Sequence, residues 1–372
     1  MSALPPPSFC TYVDPDLINF VGYCFVHGLA DGTRKQYGNA LLAYLTFCTV
    51  HGMVDLNGDA PFPLEMAMIF FAGWLKWHKK IQPDTVVGTL TGFSSEVVSL
   101  GLPHPMEDEN GKPLPRLKRV LRGMKRRFSK RKKRRDALTI DKLNKFCKWV
   151  MKQDWPLLDR LTICAGCKGG TCMMWRVSEF VSKTRKKFDP EKSPMMQDIT
   201  FDVADITTQT PTIVSFDVKS SKQDYYRQGC QLKFAANGSA TCACEALAAM
   251  VRLRRASGAK PTDPAFVLAN GDLLTRHKLQ KVLKEGLTAI GLVAGNYSTH
   301  SLRIGGATSL AACEEMDADR IRVLGRWSSD CFLRYLRQTT AMLKSTSRML
   351  GAMEDVEWKL LGVKAFNPDT AE

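Results

Sequence analysis

The chain has 372 residues, 44% hydrophobic and 24% charged, which predicts two or three domains with proper cores and excludes wholesale disorder or a collagenous or coiled-coil rod. Lysine and arginine number 53 against 37 acids, a net charge of +16, and such an excess points to a polyanionic partner, most often nucleic acid. No run approaches the roughly 18 apolar residues of a membrane helix. The opening MSALPPPSFC lacks the basic start and apolar core of a signal peptide, so an intracellular chain with reduced thiols is expected.

Residues 1–30, with a proline triplet and little periodicity, read as a flexible N-terminal arm. A helical domain is predicted over 31–128. Thr33 reads as an N-cap, and Tyr37, Leu41 and Leu45, with Tyr44 and Cys48, recur at helical spacing. A second helix over 64–79 groups Met68, Phe71, Trp74 and Leu75. A third, over 83–100, opens at Pro83 and stops at Gly101. After a proline-rich loop, Leu117, Leu121, Met124 and Phe128 form the apolar stripe of a fourth helix. Arg119, Arg122, Lys125 and Arg126 occupy its other faces.

That stripe vanishes at a basic linker, 129–138, containing Lys130, Arg131, Lys132, Lys133, Arg134 and Arg135. Between Arg116 and Arg135 there are 13 basic residues and no acids, and the remainder of the chain carries only +3. The same run also reads as a solvated charged helix or a nuclear localisation signal.

A larger domain is predicted over 139–350, with a tail over 351–372. Leu143, Phe146 and Val150 start one helix and 157–187 contain another. Residues 199–203, 212–218 and 231–234 lean to strand, with a turn over 220–224. Helices resume at about 244–256, 275–290, 300–313, 317–325 and 329–345. The fold class is therefore mainly α with a small antiparallel β-sheet. Of the twelve cysteines, Cys164, Cys167, Cys172 and the Cys242/Cys244 pair invite a zinc reading. No histidine lies near them, and small buried residues are the better account.

The most informative stretch is Tyr297-Ser-Thr-His-Ser-Leu-Arg-Ile-Gly-Gly-Ala-Thr308, followed by Leu324-Gly-Arg-Trp and a tyrosine at 335. His300 and Arg303, three apart, share one helical face. A guanidinium offers a planar fork to phosphate oxygens, and an imidazole moves protons near neutral pH. His-x-x-Arg alone is common on protein surfaces. The Gly305-Gly306 pair is costly in a solvent helix and implies close packing.

Taken together, these motifs resemble the catalytic end of the tyrosine recombinases, the phage-integrase family, and most of all recombinases of DIRS- and Crypton-type eukaryotic mobile elements. The family's Arg-x-x-Glu motif, carried on a helix, is matched by Arg176 and Glu179. Its hairpin lysine is matched by Lys222, with Lys219 as the rival. His300 and Arg303 match the His-x-x-Arg pair, and Tyr335 matches the nucleophile. The family places His or Trp directly after a glycine ten residues before the tyrosine. Here Gly325 is followed by Arg326, and Trp327 comes one later, so either residue can fill that role; Trp327 is preferred, with Arg326 then a second phosphate or DNA contact.

The resemblance implies a helical core-binding domain that clamps DNA against a mixed α/β catalytic domain. Arg176 and Arg303 would stabilise the pentacovalent phosphorus, and Lys222 would protonate the departing 5′-oxygen. His300 would assist proton transfer at Tyr335, Trp327 would pack against the phosphate site and donate its indole N–H, and Glu179 would orient catalytic-site side chains. It implies double-stranded DNA as partner, a dimer on each site and a tetrameric synapse, without metal, ATP or other cofactor. Nuclear localisation follows if the source is eukaryotic. Two other readings share these residues: a non-catalytic DNA-binding protein derived from such an element, and a type IB topoisomerase-like enzyme.

Overall fold

The computed structural model describes residues 14–53, 65–130, 133–221, 224, 226, 228–313, 316–337, 342–344 and 347–348. The chain divides into two compact units, Met1–Lys132 and Lys133–Glu372.

The first unit is helical among its described residues: α1 (Pro15–His27), α2 (Asp31–Val50), α3 (Glu65–Trp77), α4 (Pro83–Ser99) and α5 (Pro115–Phe128). Its core is aromatic. Tyr44 stacks on Phe93 at 4.2 Å and meets Phe71 edge-on at 5.2 Å, arrangements that add to area burial. Met68, Phe71, Trp74 and Leu75 are buried together, as the period of α3 requires, and α4 runs from Pro83 to the positive-φ Gly101.

Four expectations are corrected here. Helix α1 occupies part of the predicted arm; Asp14 caps it, its carboxylate accepting from the Asp16 backbone N–H. Thr33 lies inside α2, whose N-cap is Ala30. The buried face of α2 runs through Ala40, Tyr44, Phe47 and Cys48, which leaves Leu45 exposed. On α5 only Leu117 is fully buried, and Phe128 is exposed beneath the Lys76 ammonium at 5.4 Å.

The second unit contains α6 (Ile140–Met151), α7 (Leu157–Cys172), α8 (Ala243–Ala256), α9 (Arg276–Ala289), α10 (His300–Leu310) and α11 (Ala318–Leu324). A three-stranded antiparallel sheet has the order β1 (Ile199–Phe201), β2 (Ile213–Val218), β3 (Cys230–Ala235). Ile199 pairs with Phe216 and Val218 with Cys230. Val214, Phe216 and Val218 point into the core, where Phe216 packs on Trp175 at 4.1 Å. Cys164, Cys167, Cys242 and Cys244 are buried in the same core.

The helix expected within 157–187 is α7, and the residues after it, 173–187, hold only a 3₁₀ turn at Val177–Glu179. The predicted 329–345 helix is replaced around Tyr335 by a 3₁₀ helix, Asp330–Arg334. In α10 every residue from Ser301 to Thr308 is buried, so the helix has no polar face. A Cβ at Gly305 would collide with the Leu138 carbonyl, and one at Gly306 with the Thr171 carbonyl. Close packing against the chain entering the unit and against the end of α7 is what the glycine pair permits.

Candidate functional site

Tyr335 directly follows the 3₁₀ helix, and its backbone carbonyl accepts from the Thr308 hydroxyl at 3.2 Å. Three side chains surround its ring. His300, the first residue of α10, lies 4.9 Å away and Trp327 lies 5.0 Å away, while the Arg303 guanidinium stands 5.8 Å from its centre. Helix α10 supplies His300 and Arg303 one turn apart, and the turn after α11 supplies Trp327. Residues 35 positions apart in the chain thus converge because α10 and the segment 325–335 share one small core with Met174, Ile321 and Phe332.

Arg303 is 1% exposed, so it is not the surface fork that spacing alone describes. One Nη donates to the Met174 carbonyl and the other to that of Gly325. The guanidinium lies 4.4 Å over the Trp327 ring, a cation–π contact strengthened by the loss of water. Burial, and then the fields of Arg176 and Arg326, pull its pKa down to about 10, which leaves it charged at neutral pH.

The Arg303 Nε–H and the Trp327 indole N–H are buried with no acceptor among the described residues. Buried donors are nearly always paired, and an anion's oxygens would pair both. The His300 ring touches Tyr335 from the exposed rim of the site. Its pKa is lowered, first by partial burial and then by Arg303, Arg276, Arg176 and Arg337, which keeps the imidazole neutral and able to accept a proton at pH 7.

The backbone turn at 325–327 separates the two residues that the sequence left in competition. Arg326 adopts φ 54°, a left-handed conformation that costs a non-glycine residue about 1–3 kcal/mol unless its surroundings hold it. Its guanidinium is held by both carboxylate oxygens of Glu179, at 2.8 and 3.3 Å. Trp327 is thereby turned the other way, over Gly325 and Arg303. The Glu179 side chain is fully buried, and it also accepts from the Arg176 Nη1 at 3.2 Å and from the Arg176 backbone N–H at 2.9 Å. Arg176 stands at the start of the 3₁₀ turn and not on a helix. One carboxylate therefore links two arginines, and the structure puts Trp327, not Arg326, against the Tyr335 ring.

The remaining candidates are placed as follows. Lys222 lies outside the described residues. Its rival Lys219 is engaged elsewhere, with the Asp198 carboxylate at 2.7 Å and the Pro190 carbonyl at 2.9 Å. Arg119, Arg122 and Arg126 are exposed on α5, and Lys125 is paired with Asp84 at 3.4 Å. Lys130, Lys133 and Arg134 are exposed, while Arg131 and Lys132 lie outside the described residues. Arg135 donates to the Gly295 carbonyl at 2.6 Å. Sequence reasoning missed Thr308, the carbonyls of Met174 and Gly325, and the Arg326–Glu179 pair, whose partners are 147 residues apart. Only the positive φ of Met174 and Arg326 marks them, and that is invisible in a sequence. Among the described residues no group of three or more His, Cys, Asp or Glu side chains is placed to hold a metal ion.

The helical unit, followed by a mainly helical unit with a small antiparallel sheet and a terminal tyrosine segment, has the fold of the tyrosine recombinases. The chain is similar to the XerH site-specific recombinase bound to a palindromic difH substrate in a post-cleavage complex, with a TM-score of 0.54 and 15% identity over 85% of this chain and 79% of that one. The Tn1549 transposon integrase in complex with a circular intermediate DNA aligns with a TM-score of 0.49 and 14% identity over 84% and 99% of the two chains. A lambda integrase dimer bound to a COC′ core site aligns at 0.47 and 14% over 86% and 76%. No protein-family model matches the sequence, and no curated protein matches it.

Proposed function

We propose that this chain is a site-specific DNA recombinase that cuts and rejoins duplex DNA through Tyr335. The observation that carries the reading is the convergence of Arg303, His300 and Trp327 on the Tyr335 ring, with two buried N–H donors lacking acceptors there. The Tyr335 oxygen attacks the scissile phosphorus, forming a 3′-phosphotyrosyl bond as the bond to the 5′-oxygen breaks. His300 accepts the phenol proton and Lys222 protonates the 5′-oxygen. Arg303 and Arg176 offset the charge on the pentacovalent phosphorus. Reversal by a new 5′-hydroxyl rejoins the strand and conserves the phosphodiester bond energy, so no external energy source is required.

Origin in a DIRS- or Crypton-like mobile element, action in the nucleus, a dimer on each site and a tetrameric synapse belong to the same proposal. The test is covalent trapping on nicked or phosphorothiolate DNA from the flanking element, with wild type beside Tyr335→Phe on a denaturing gel. A protein–DNA adduct in wild type alone is expected. Binding without an adduct would reduce the chain to a DNA-binding protein, and relaxation of any supercoiled plasmid regardless of sequence would make it a topoisomerase.

A further inference from the structure

The sequence places nearly all the excess charge in one segment, yet the second unit contains a basic surface of its own beside His300. Ser182 pairs in parallel with Thr275, and the Ser182 N–H donates to the Leu274 carbonyl at 2.9 Å. This pairing lays the loop Lys183–Lys187 against the start of α9, where Thr275 is the N-cap. Within that loop Arg185 and Lys186 are neutralised by the buried carboxylate of Asp272, at 3.1 and 2.8 Å. Lys183, Lys187, Arg276 and Lys284 are exposed, and among the described residues none has an acidic partner.

Arg276, Gln280 and Lys284 follow one another at i, i+4 and i+8, so they form a single row spanning about 12 Å. Gln280 fixes which way that row faces, because its Oε1 accepts from the backbone N–H of Thr299, the residue before His300, at 2.9 Å. Arg276 is also near enough to His300 for its charge to help lower the imidazole pKa. Four exposed cations without an acidic partner among the described residues, on a loop and a helix that adjoin the segment carrying His300, suit the phosphates of a nucleic-acid strand better than a solvated face with alternating charges does.

We infer that Lys183, Lys187, Arg276 and Lys284 form a ledge that grips the backbone phosphates of duplex DNA flanking the phosphate held at Tyr335. The inference rests on the recombinase reading for its ligand but not for its residues. Asp272 shapes the ledge by holding the two neighbouring cations back.

The test compares the full chain with a variant in which all four residues become Gln, and with a charge-matched control, Lys145→Gln, Lys148→Gln, Lys152→Gln and Lys260→Gln. Affinity for a short random-sequence duplex is measured across a salt series. The ledge variant should lose about 3 to 4 from the slope of log affinity against log salt, at roughly 0.9 for each lost phosphate contact. The control should lose less than half of that, and Arg276→Lys alone should leave the wild-type slope unchanged. Equal slopes for ledge and control variants, with wild type binding and forming its Tyr335 adduct, would overturn the ledge alone. Wild type that binds no duplex would overturn the recombinase reading and the ledge together.

Discussion

His300 is the residue whose environment most directly sets a pH dependence. Its folded-state pKa lies below the ordinary value of about 6.5. Between those two values the unfolded chain binds the proton that the folded chain refuses, so stability falls as pH drops through that window and is fully present above it. His300→Gln should remove this component: the difference in Tm between wild type and variant should shrink steadily from pH 7 towards pH 5, and a constant difference would refute the assignment. Residue identities at the site were legible because Arg176, Glu179, His300, Arg303, Trp327 and Tyr335 stand in a recognisable order. Their orientation was not. Spacing put Arg303 beside His300 on one helical face, but a helix buried on all sides gives no amphipathic signal to say whether that face looks outward. Nor does spacing reveal that Arg326 turns to Glu179, since that depends on a left-handed backbone at one residue.

At the scale of elements, α3 was legible from the period of its apolar residues, and α4 from the proline that opens it and the glycine that follows it. The misreadings occur where packing or capping overrides period: Leu45 yields its expected place to Phe47, and the Tyr335 segment tightens to 3₁₀. Helix α10 shows the same physics in a form that can be measured. Gly305→Ala should gain helix propensity of up to about 1 kcal/mol, yet its methyl would strike the Leu138 carbonyl, a backbone atom with little room to move. A net destabilisation of about 1–3 kcal/mol is expected from this overpacking. Gly38→Ala, in α2 with nothing within 4 Å of the added carbon, should instead stabilise by about 0.5–1 kcal/mol. Urea unfolding of the two variants should therefore shift in opposite directions, and a shared direction would contradict the packing described for α10.

For the whole molecule, the spacing of apolar residues along the chain anticipated the mainly helical character and the small antiparallel sheet. Charge was read less completely. Attention to the densest run hid the smaller group at the start of α9, whose members are scattered between residues 183 and 284 and meet only in three dimensions. The two surfaces are separable by experiment. Replacing Lys130 through Arg134 with Gln should weaken binding to every duplex and flatten its salt dependence by about 4 in slope, with Arg135 spared because its side chain already bonds Gly295. An unchanged slope would leave the run as an address label for transport.

Arg135 has a second attachment whose consequence is mechanical. Its backbone carbonyl accepts from the Arg337 Nε at 3.0 Å, and the next N–H, that of Asp136, donates to the Asn296 carbonyl at 2.9 Å. The first residues of the second unit are therefore tied on one side to the turn just before His300 and on the other to a residue two positions past Tyr335. A pull on residues 135–136 would therefore reach the segments that carry His300 and Tyr335 through one hydrogen bond each.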